Sequence, residues 1–423
     1  MRLTQRRPAR PLSALATIGA LFLTGCGTQS GTPGGETDSA PGSRTIRAQQ
    51  FMQLTEVHGE TGMTLLEGPV FGEDGGLYVV DVTAPEGKPK VMRVDVRRKT
   101  SRAVHTDGRG AYTSAQFSPY DGRLHLSDFA HGEIVSLAPG GGDPRTVFSG
   151  DVDGAPMNPD DIAFDPSGNL YVSDSRGLSE GTARGRVVRI DRKSGEATVL
   201  ADDLAAPNGI SFDADYQGLW FSELTENRIT YLRLDKAGAV TSRHTAVRVD
   251  GGIAQTDSIA VDADGNLYQG LHGRAAMAVF SPHGERLATV ELPAHAKGLE
   301  SATNVAITPG GTKAYLTVSG PAGGYRLHLR RSRRGHPPVQ RRLRASTGRT
   351  PVHPAKARTG PTSTPSSRQA ASARSSRSAR VGPVTAAETM ATASARSSPA
   401  PSRCSAGRCR RRARSTRSDS PRT

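Results

Sequence analysis

One short pattern of polar and apolar positions recurs along the chain. "LEGPVFGEDGGLYVVDV", beginning at Leu66, sets an acid ahead of a brief apolar strand, a turn and a second strand. Similar stretches follow as "PDDIAFDPSGNLYVSDS", "PNGISFDADYQGLWFSE" and "TDSIAVDADGNLYQGL". Aligned on the residue before the first strand, Glu67, Asp160, Asn208 and Asp257 coincide, and two degenerate copies put Thr113 and Thr303 at the same place. The successive spacings are 46, 47, 48, 49 and 46 residues, a regularity that marks a repeat architecture.

Inside a unit, large apolar side chains stand two and four places after the key residue, as Ile162 and Phe164 or Ile210 and Phe212. Small ones such as Ala163, Ser211, Ala260 and Ala306 stand between. This is the period of a strand with one bulky and one slim face. Turns such as "DPSGN" and "DADGN" lead to a second strand, and pairs such as "GRVVRIDR" and "EATVLAD" complete four strands per unit. No helical period of useful length occurs after residue 26. Six units of four strands predict an all-β chain, a six-bladed β-propeller over residues 46–330. "IRAQQFMQLTEV", from Ile46, is the segment expected to pair with the last unit and remove the exposed edge.

Such a ring carries the key residues, distant in sequence, to one mouth of a central channel. Three carboxylates aimed at one point repel one another unless a cation lies among them. Every donor in the set is an oxygen, which predicts a hard ion: Ca²⁺, or else Mg²⁺ or Mn²⁺. The blander reading is that each acid only caps a turn, and four at one register weigh against it.

"EGPVF", "PDDIAFDPSGNLYVSD", "PNGISF", "DSIAVDADGNLY" and "TNVAI" together resemble the gluconolactonase and senescence-marker-protein (SMP-30) family of calcium-dependent lactonases, over about residues 46–325. The Asp257–Ser258 pair is nearer to its drug-responsive lactonase branch. The resemblance implies that Glu67, Asp160, Asn208 and Asp257 hold the divalent ion, with Ser258 as an extra ligand, and that Asp257 also transfers the proton in lactone hydrolysis. The chain departs from the family in carrying Asp160–Asp161 where Asn–Asp is frequent, and Asn158 where the sugar-lactone branch has Arg. Asp160 is the ligand favoured by register, which leaves Asp161 and Asn158 as substrate or supporting contacts. The competing class is a non-enzymatic propeller whose metal is structural and whose mouth binds a ligand or protein.

Charge changes the picture only at the ends. Residues 326–423 hold 24 Arg or Lys against two acids, so the other 325 residues carry 31 basic and 38 acidic groups. The net charge of +15 therefore says nothing about the domain's partner, and no nucleic acid is expected. This Arg/Ser/Ala/Pro-rich tail (331–423) is expected to be disordered. Attraction to an anionic surface and a shifted reading frame both stay open for it. If the frame shifts near Tyr325, the sixth unit lacks part of its third strand.

At the other end, "MRLTQRRPAR" and "PLSALATIGALFLTG" form a basic and then a short apolar region ending in "LTGC". This resembles a lipoprotein signal peptide over residues 1–25, with Cys26 as the acylated residue and residues 26–45 as a flexible tether. A monomer anchored in the cell membrane outside the cytoplasm is the expectation, or a secreted one if Cys26 is not acylated. Cys404 and Cys409 are the other cysteines, so no thiol chemistry lies inside the domain.

Weaker signals complete the reading. His131 and His272 each precede Gly just after a unit's second strand, on loops that could rim the mouth. "GLSEG" around Ser179 fits a nucleophile elbow only if a helix follows, and none is predicted. Asp151 and Asp153 suit either a plain turn or a second calcium site.

Overall fold

The computed structural model describes residues 44–293 and 296–330. The proposed signal peptide, Cys26, all but the end of the tether, the basic tail, Cys404 and Cys409 lie outside the described residues. Among those described there are 25 strands and one short 3₁₀ turn, Leu224–Glu226. No helix there is long and apolar enough to cross a membrane.

The strands form small antiparallel sheets, an arrangement consistent with a β-propeller. Four sheets have four strands each, and a nine-stranded sheet holds the fifth and sixth repeats, joined where Leu271 pairs with Ala302. The inner strands are Leu66–Phe71, Tyr112–Phe117, Pro159–Phe164, Pro207–Phe212, Gln255–Val261 and Ser301–Ile307. Each touches the next, and Ser301–Ile307 touches Leu66–Phe71 in turn. The apolar cores lie between neighbouring repeats and not within them. One unites Leu124 and Leu126 with Tyr78 and Val80, and another unites Ala306 and Tyr315 of the sixth repeat with Leu66 and Leu77 of the first.

The recurring "LY" and the Phe four places after the key residue explain each other. Tyr78 packs edge-on against Phe117 at 5.0 Å, Tyr171 against Phe212 at 4.9 Å, and Tyr315 against Phe71 at 5.6 Å. His125 takes the Tyr position against Phe164 at 5.1 Å. Four of the six second strands thus grip the next inner strand through an aromatic edge-to-face pair.

Closure follows the sequence expectation and adds to it. Gln49–Thr55 pairs antiparallel with Gly323–Arg330 and supplies the sixth repeat's fourth strand. Arg44–Arg47 runs parallel to Arg286–Glu291 of the fifth repeat, so strand pairing begins before Ile46. The expected loss in the sixth repeat's third strand does not occur. Gly323–Arg330 pairs with Lys313–Gly320 along its whole length. Leu327 and Leu329 fill the core there, and Arg326 is buried with its guanidinium 4.7 Å from the Tyr315 ring centre. Apolar alternation therefore runs on through residues that composition assigns to the basic tail.

Candidate metal centre

Every inner strand breaks its pairing register at the same point. The irregularities fall between Glu67 and Val70, Tyr112 and Ser114, Pro159 and Ile162, Pro207 and Ile210, Thr256 and Ile259, and Ala302 and Val305. A bulge inserts an extra residue and re-aims the side chains around it. Here it lets two consecutive residues address the channel at two levels. Hydroxyls of the second strand satisfy the freed amides: Asp161 N donates to Ser173 Oγ (2.9 Å), Gly209 N to Ser222 Oγ (2.8 Å) and Asn304 N to Thr317 Oγ1 (3.2 Å). Glycine is required where inner strands approach most closely. A Cβ on Gly209 would stand 2.3 Å from Ile259 N, and one on Gly68, at φ 51°, would stand 2.6 Å from Ala115 N.

Thr113 and Thr303, the two key positions without an acid or amide, join neighbouring repeats. Thr113 Oγ1 donates to the Asp160 carbonyl at 2.9 Å, and Thr303 Oγ1 to the Leu66 carbonyl at 2.6 Å.

Glu67, Asp160, Asn208 and Asp257 all line one cavity of about 30 Å³. That volume suits an ion or a water or two, not a substrate. All four are buried. Burial, and after it Asp257, Asp161 and Asp160, push the Glu67 carboxyl well above the usual carboxylate range. Burial and the charges of Asp160 and Asp161 do the same to Asp257. Burial and Asp161 push Asp160 up to about 8. No Lys or Arg lines the cavity.

The polar hydrogens within reach are too few for these acids. Asn208 Nδ2 donates to Asp160 Oδ2 at 3.1 Å, and Ser175 Oγ lies 3.1 Å from the same oxygen. Asp257 Oδ1 accepts from the Ser258 amide at 3.0 Å. Glu67 Oε2 is buried with no hydrogen-bond partner. Among the described residues no three His, Cys, Asp or Glu side chains are drawn in as a ready-made metal cage. An orphaned carboxylate oxygen, two further buried acids and an amide oxygen around an ion-sized cavity fit a hard divalent cation.

The remaining predicted residues divide. Asp161 lies at the second level and lines a wider cavity of about 270 Å³ at the other end of the inner strands, which separates it from Asp160. Burial pushes its carboxyl up to about 7, against hydrogen bonds from Ser114, Ser258 and the Ile210 amide. Ser258 is buried beside it, with its Oγ 3.5 Å from Asn208 Oδ1. His272 lines the small cavity, its Nδ1 3.8 Å from Asp257 Oδ2, and burial pushes its imidazole below the usual value. His131 lines neither cavity and instead meets Asp128 Oδ2 at 2.9 Å. Asn158 also lines neither, and its backbone amide donates to Asp174 Oδ1 at 2.7 Å. Ser179 is exposed in a turn with no helix after it. Asp151 and Asp153 are exposed too, and the carbonyls of Val152, Ala155 and Pro156 in their turn face the Arg186 guanidinium.

Two features escaped the sequence reading. An apolar cluster that includes Leu65, Phe129, Leu178 and Leu224 gathers residues that flank the strands, and three of the four line the small cavity. An acid also ends the second strand in four repeats: Asp81, Asp128, Asp174 and Glu223. Each accepts a backbone amide just ahead of its own inner strand, from Leu65, Ala111, Asn158 and Ala205 respectively. "VVD", "LSD", "VSD" and "FSE" carry the signal at a fixed place in the unit.

Comparison with known proteins agrees with this architecture. Lactonase drp35 of Staphylococcus haemolyticus is 26% identical over 266 residues, covering 60% of this chain and 76% of the relative. Its counterpart in Staphylococcus aureus strain USA300 is 28% identical over 268 residues, with the same shares covered. Among solved structures, the calcium-binding protein regucalcin of Agrobacterium tumefaciens aligns with a TM-score of 0.57 at 17% identity, over 70% of this chain and 99% of that one. A gluconolactonase of Xanthomonas campestris aligns with a TM-score of 0.53 at 20% identity, over 69% and 99%. The SMP-30/gluconolactonase/LRE-like family model matches residues 65–320, from the residue ahead of the first inner strand to the end of the sixth repeat's second strand, and the chain belongs to that family.

Proposed function

We propose that the chain is a six-bladed propeller that hydrolyses lactones with one divalent cation, Ca²⁺ in the first instance, held by Glu67, Asp160, Asn208 and Asp257, with Ser258 in support. The observation that carries the reading is the set of buried acids around one cavity, with Glu67 Oε2 unsatisfied and no Lys or Arg beside it. The lactonases among its relatives supply the reaction class. When bound, the cation supplies Lewis acidity toward the ester carbonyl.

The protein's own part is positioning and proton transfer. Asp257 Oδ1 is engaged by the Ser258 amide, which leaves Oδ2 to take the proton of the attacking water. The same oxygen returns that proton to the ring oxygen as the acyl C–O bond breaks, so lactone and water become one hydroxy acid. Leu65, Leu178 and Leu224 keep bulk water from this exchange. Asp161 acts from the second level, by fixing Ser258.

The test is hydrolysis of dihydrocoumarin and of gluconolactone by the purified chain. Turnover lost in chelator, restored by calcium and abolished in Asp257→Asn with calcium still bound is the expected result. A chain that binds calcium yet opens neither ring would leave a structural ion in a non-enzymatic propeller.

We also propose that the protein is a monomer held outside the cytoplasm by lipid on Cys26. The basic and apolar runs that end in "LTGC" support the anchor on Cys26. Fatty-acid labelling that persists in Cys26→Ser would overturn it.

A further inference from the structure

One position at the end of each second strand sits beside the start of the inner strand of its own repeat. Pairing of Leu66 with Asp81, Tyr112 with Asp128, Pro159 with Asp174, Pro207 with Glu223, Thr256 with Leu271 and Ala302 with Val318 fixes the equivalence. The next residues are therefore Val82, Phe129, Ser175, Leu224, His272 and Ser319. Where the inner strand offers Thr113 or Asn208, this neighbour is Phe129 or Leu224. Glu67 has Val82 beside it and Thr303 has Ser319, whereas the two aspartates, Asp160 and Asp257, both have a neighbour able to hydrogen-bond a carboxylate. Ser175 shares its hydroxyl between Asp160 Oδ2 (3.1 Å) and the Pro207 carbonyl (2.5 Å). His272 stands at the matching place beside Asp257.

The details suit a support for one oxygen. Asp257 Oδ1 is taken by the Ser258 amide, and Oδ2 faces His272 Nδ1 at 3.8 Å. Ser301 Oγ lies 3.5 Å from the same nitrogen and accepts the Gly273 amide at 2.9 Å, which ties the ring's own loop to the sixth repeat. The fifth repeat, like the sixth with Val318, lacks the acid that ends the first four second strands, and carries Leu271 there. His131, by contrast, turns to Asp128 of its own repeat. With no such acid in its repeat, His272 has Asp257 as its carboxylate.

We propose that His272 is the positioning residue for Asp257, directing an Nδ1–H at Oδ2 and so fixing the carboxylate oxygen that exchanges the proton. The 3.8 Å separation is an approach and not yet a hydrogen bond, and such contacts tighten when a site is filled. The inference rests on the role proposed for Asp257 in lactone opening, but it can be tested apart from turnover.

The experiment uses the whole chain in two arms. Imidazole ¹⁵N spectra in chelator should show His272 as the Nδ1–H tautomer, and Asp257→Ala should shift it toward Nε2–H. An Nε2–H tautomer indifferent to Asp257→Ala overturns the proposal. In the second arm, His272→Ala should lower kcat on dihydrocoumarin by about 10- to 100-fold, with KM and calcium affinity little changed. His272→Asn, which keeps a donor near Nδ1, should recover most of that loss. Equal losses in both folded variants, or none in either, count against it. Should the wild-type chain open no lactone while the tautomer still answers to Asp257, the functional reading fails and the positioning stands.

Discussion

Two sets of buried acids occupy this fold, and they are treated in opposite ways. Those that end the second strands each have a basic partner. Asp81 meets His58 Nε2 at 2.8 Å, Asp128 meets His131, Asp174 meets Arg186 Nε at 2.7 Å, and Glu223 meets Arg228 Nε at 2.7 Å. Burial alone would raise Glu223, but Arg228, the Ala205 amide and Thr230 outweigh it and hold the carboxyl below its usual value. The acids on the inner strands have no basic group at hydrogen-bond distance, His272 standing 3.8 Å from Asp257, and are pushed upward. Both sets are buried, so burial does not distinguish a scaffold acid from a site acid. The lack of a basic side chain at hydrogen-bond distance does.

The strongest test of that contrast is Asp174→Ala. It leaves the buried Arg186 guanidinium without its carboxylate and should cost about 3–5 kcal/mol in urea unfolding. The inner acids should behave in the reverse sense. Asp160 and Asp161, raised to about 8 and 7, bind protons in the folded chain that the unfolded chain has already lost. Their contribution to stability is thus present at low pH and is lost as pH rises through the folded values. In chelator the chain should melt several degrees lower at pH 8.5 than at pH 5, and calcium should erase or invert that trend.

A smaller effect comes from Asp160→Asn. In chelator at pH 8 it should raise the melting temperature by about 2–4 °C per kcal/mol of repulsion relieved, while calcium titration shows weaker binding. A loss as large as that of Asp174→Ala would erase the distinction between the two sets. Smallest of all, Ser173→Ala removes the acceptor of the Asp161 amide and should cost about 1–3 kcal/mol, with or without calcium.

The repeat and its key residues were legible because the same backbone position returns in every unit. Asp160 could not be separated from Asp161 by alternation, because the bulge turns both inward and a single extra residue leaves the flanking Ile162 and Phe164 pattern intact. The difference between His131 and His272 was likewise hidden. Both precede glycine near the end of a second strand, but pairing puts Phe129 where the fifth repeat has His272, so His131 stands two residues further on and turns back to Asp128. The continuation of the last strand was misjudged for a different reason. Arg326 reads as the first residue of a basic run, yet it is buried beside Tyr315.

The clasp between Gln49–Thr55 and Gly323–Arg330 bears on how the chain matures. On the ribosome the early strand must wait for nearly the whole domain to emerge before its partner exists, and such distant pairing is slow to form. The wall beside Glu67 is also finished last, since Thr303 holds the Leu66 carbonyl from the far end of the domain. Capture of an ion there would therefore be a late event in biogenesis, drawing the open ring shut by mass action.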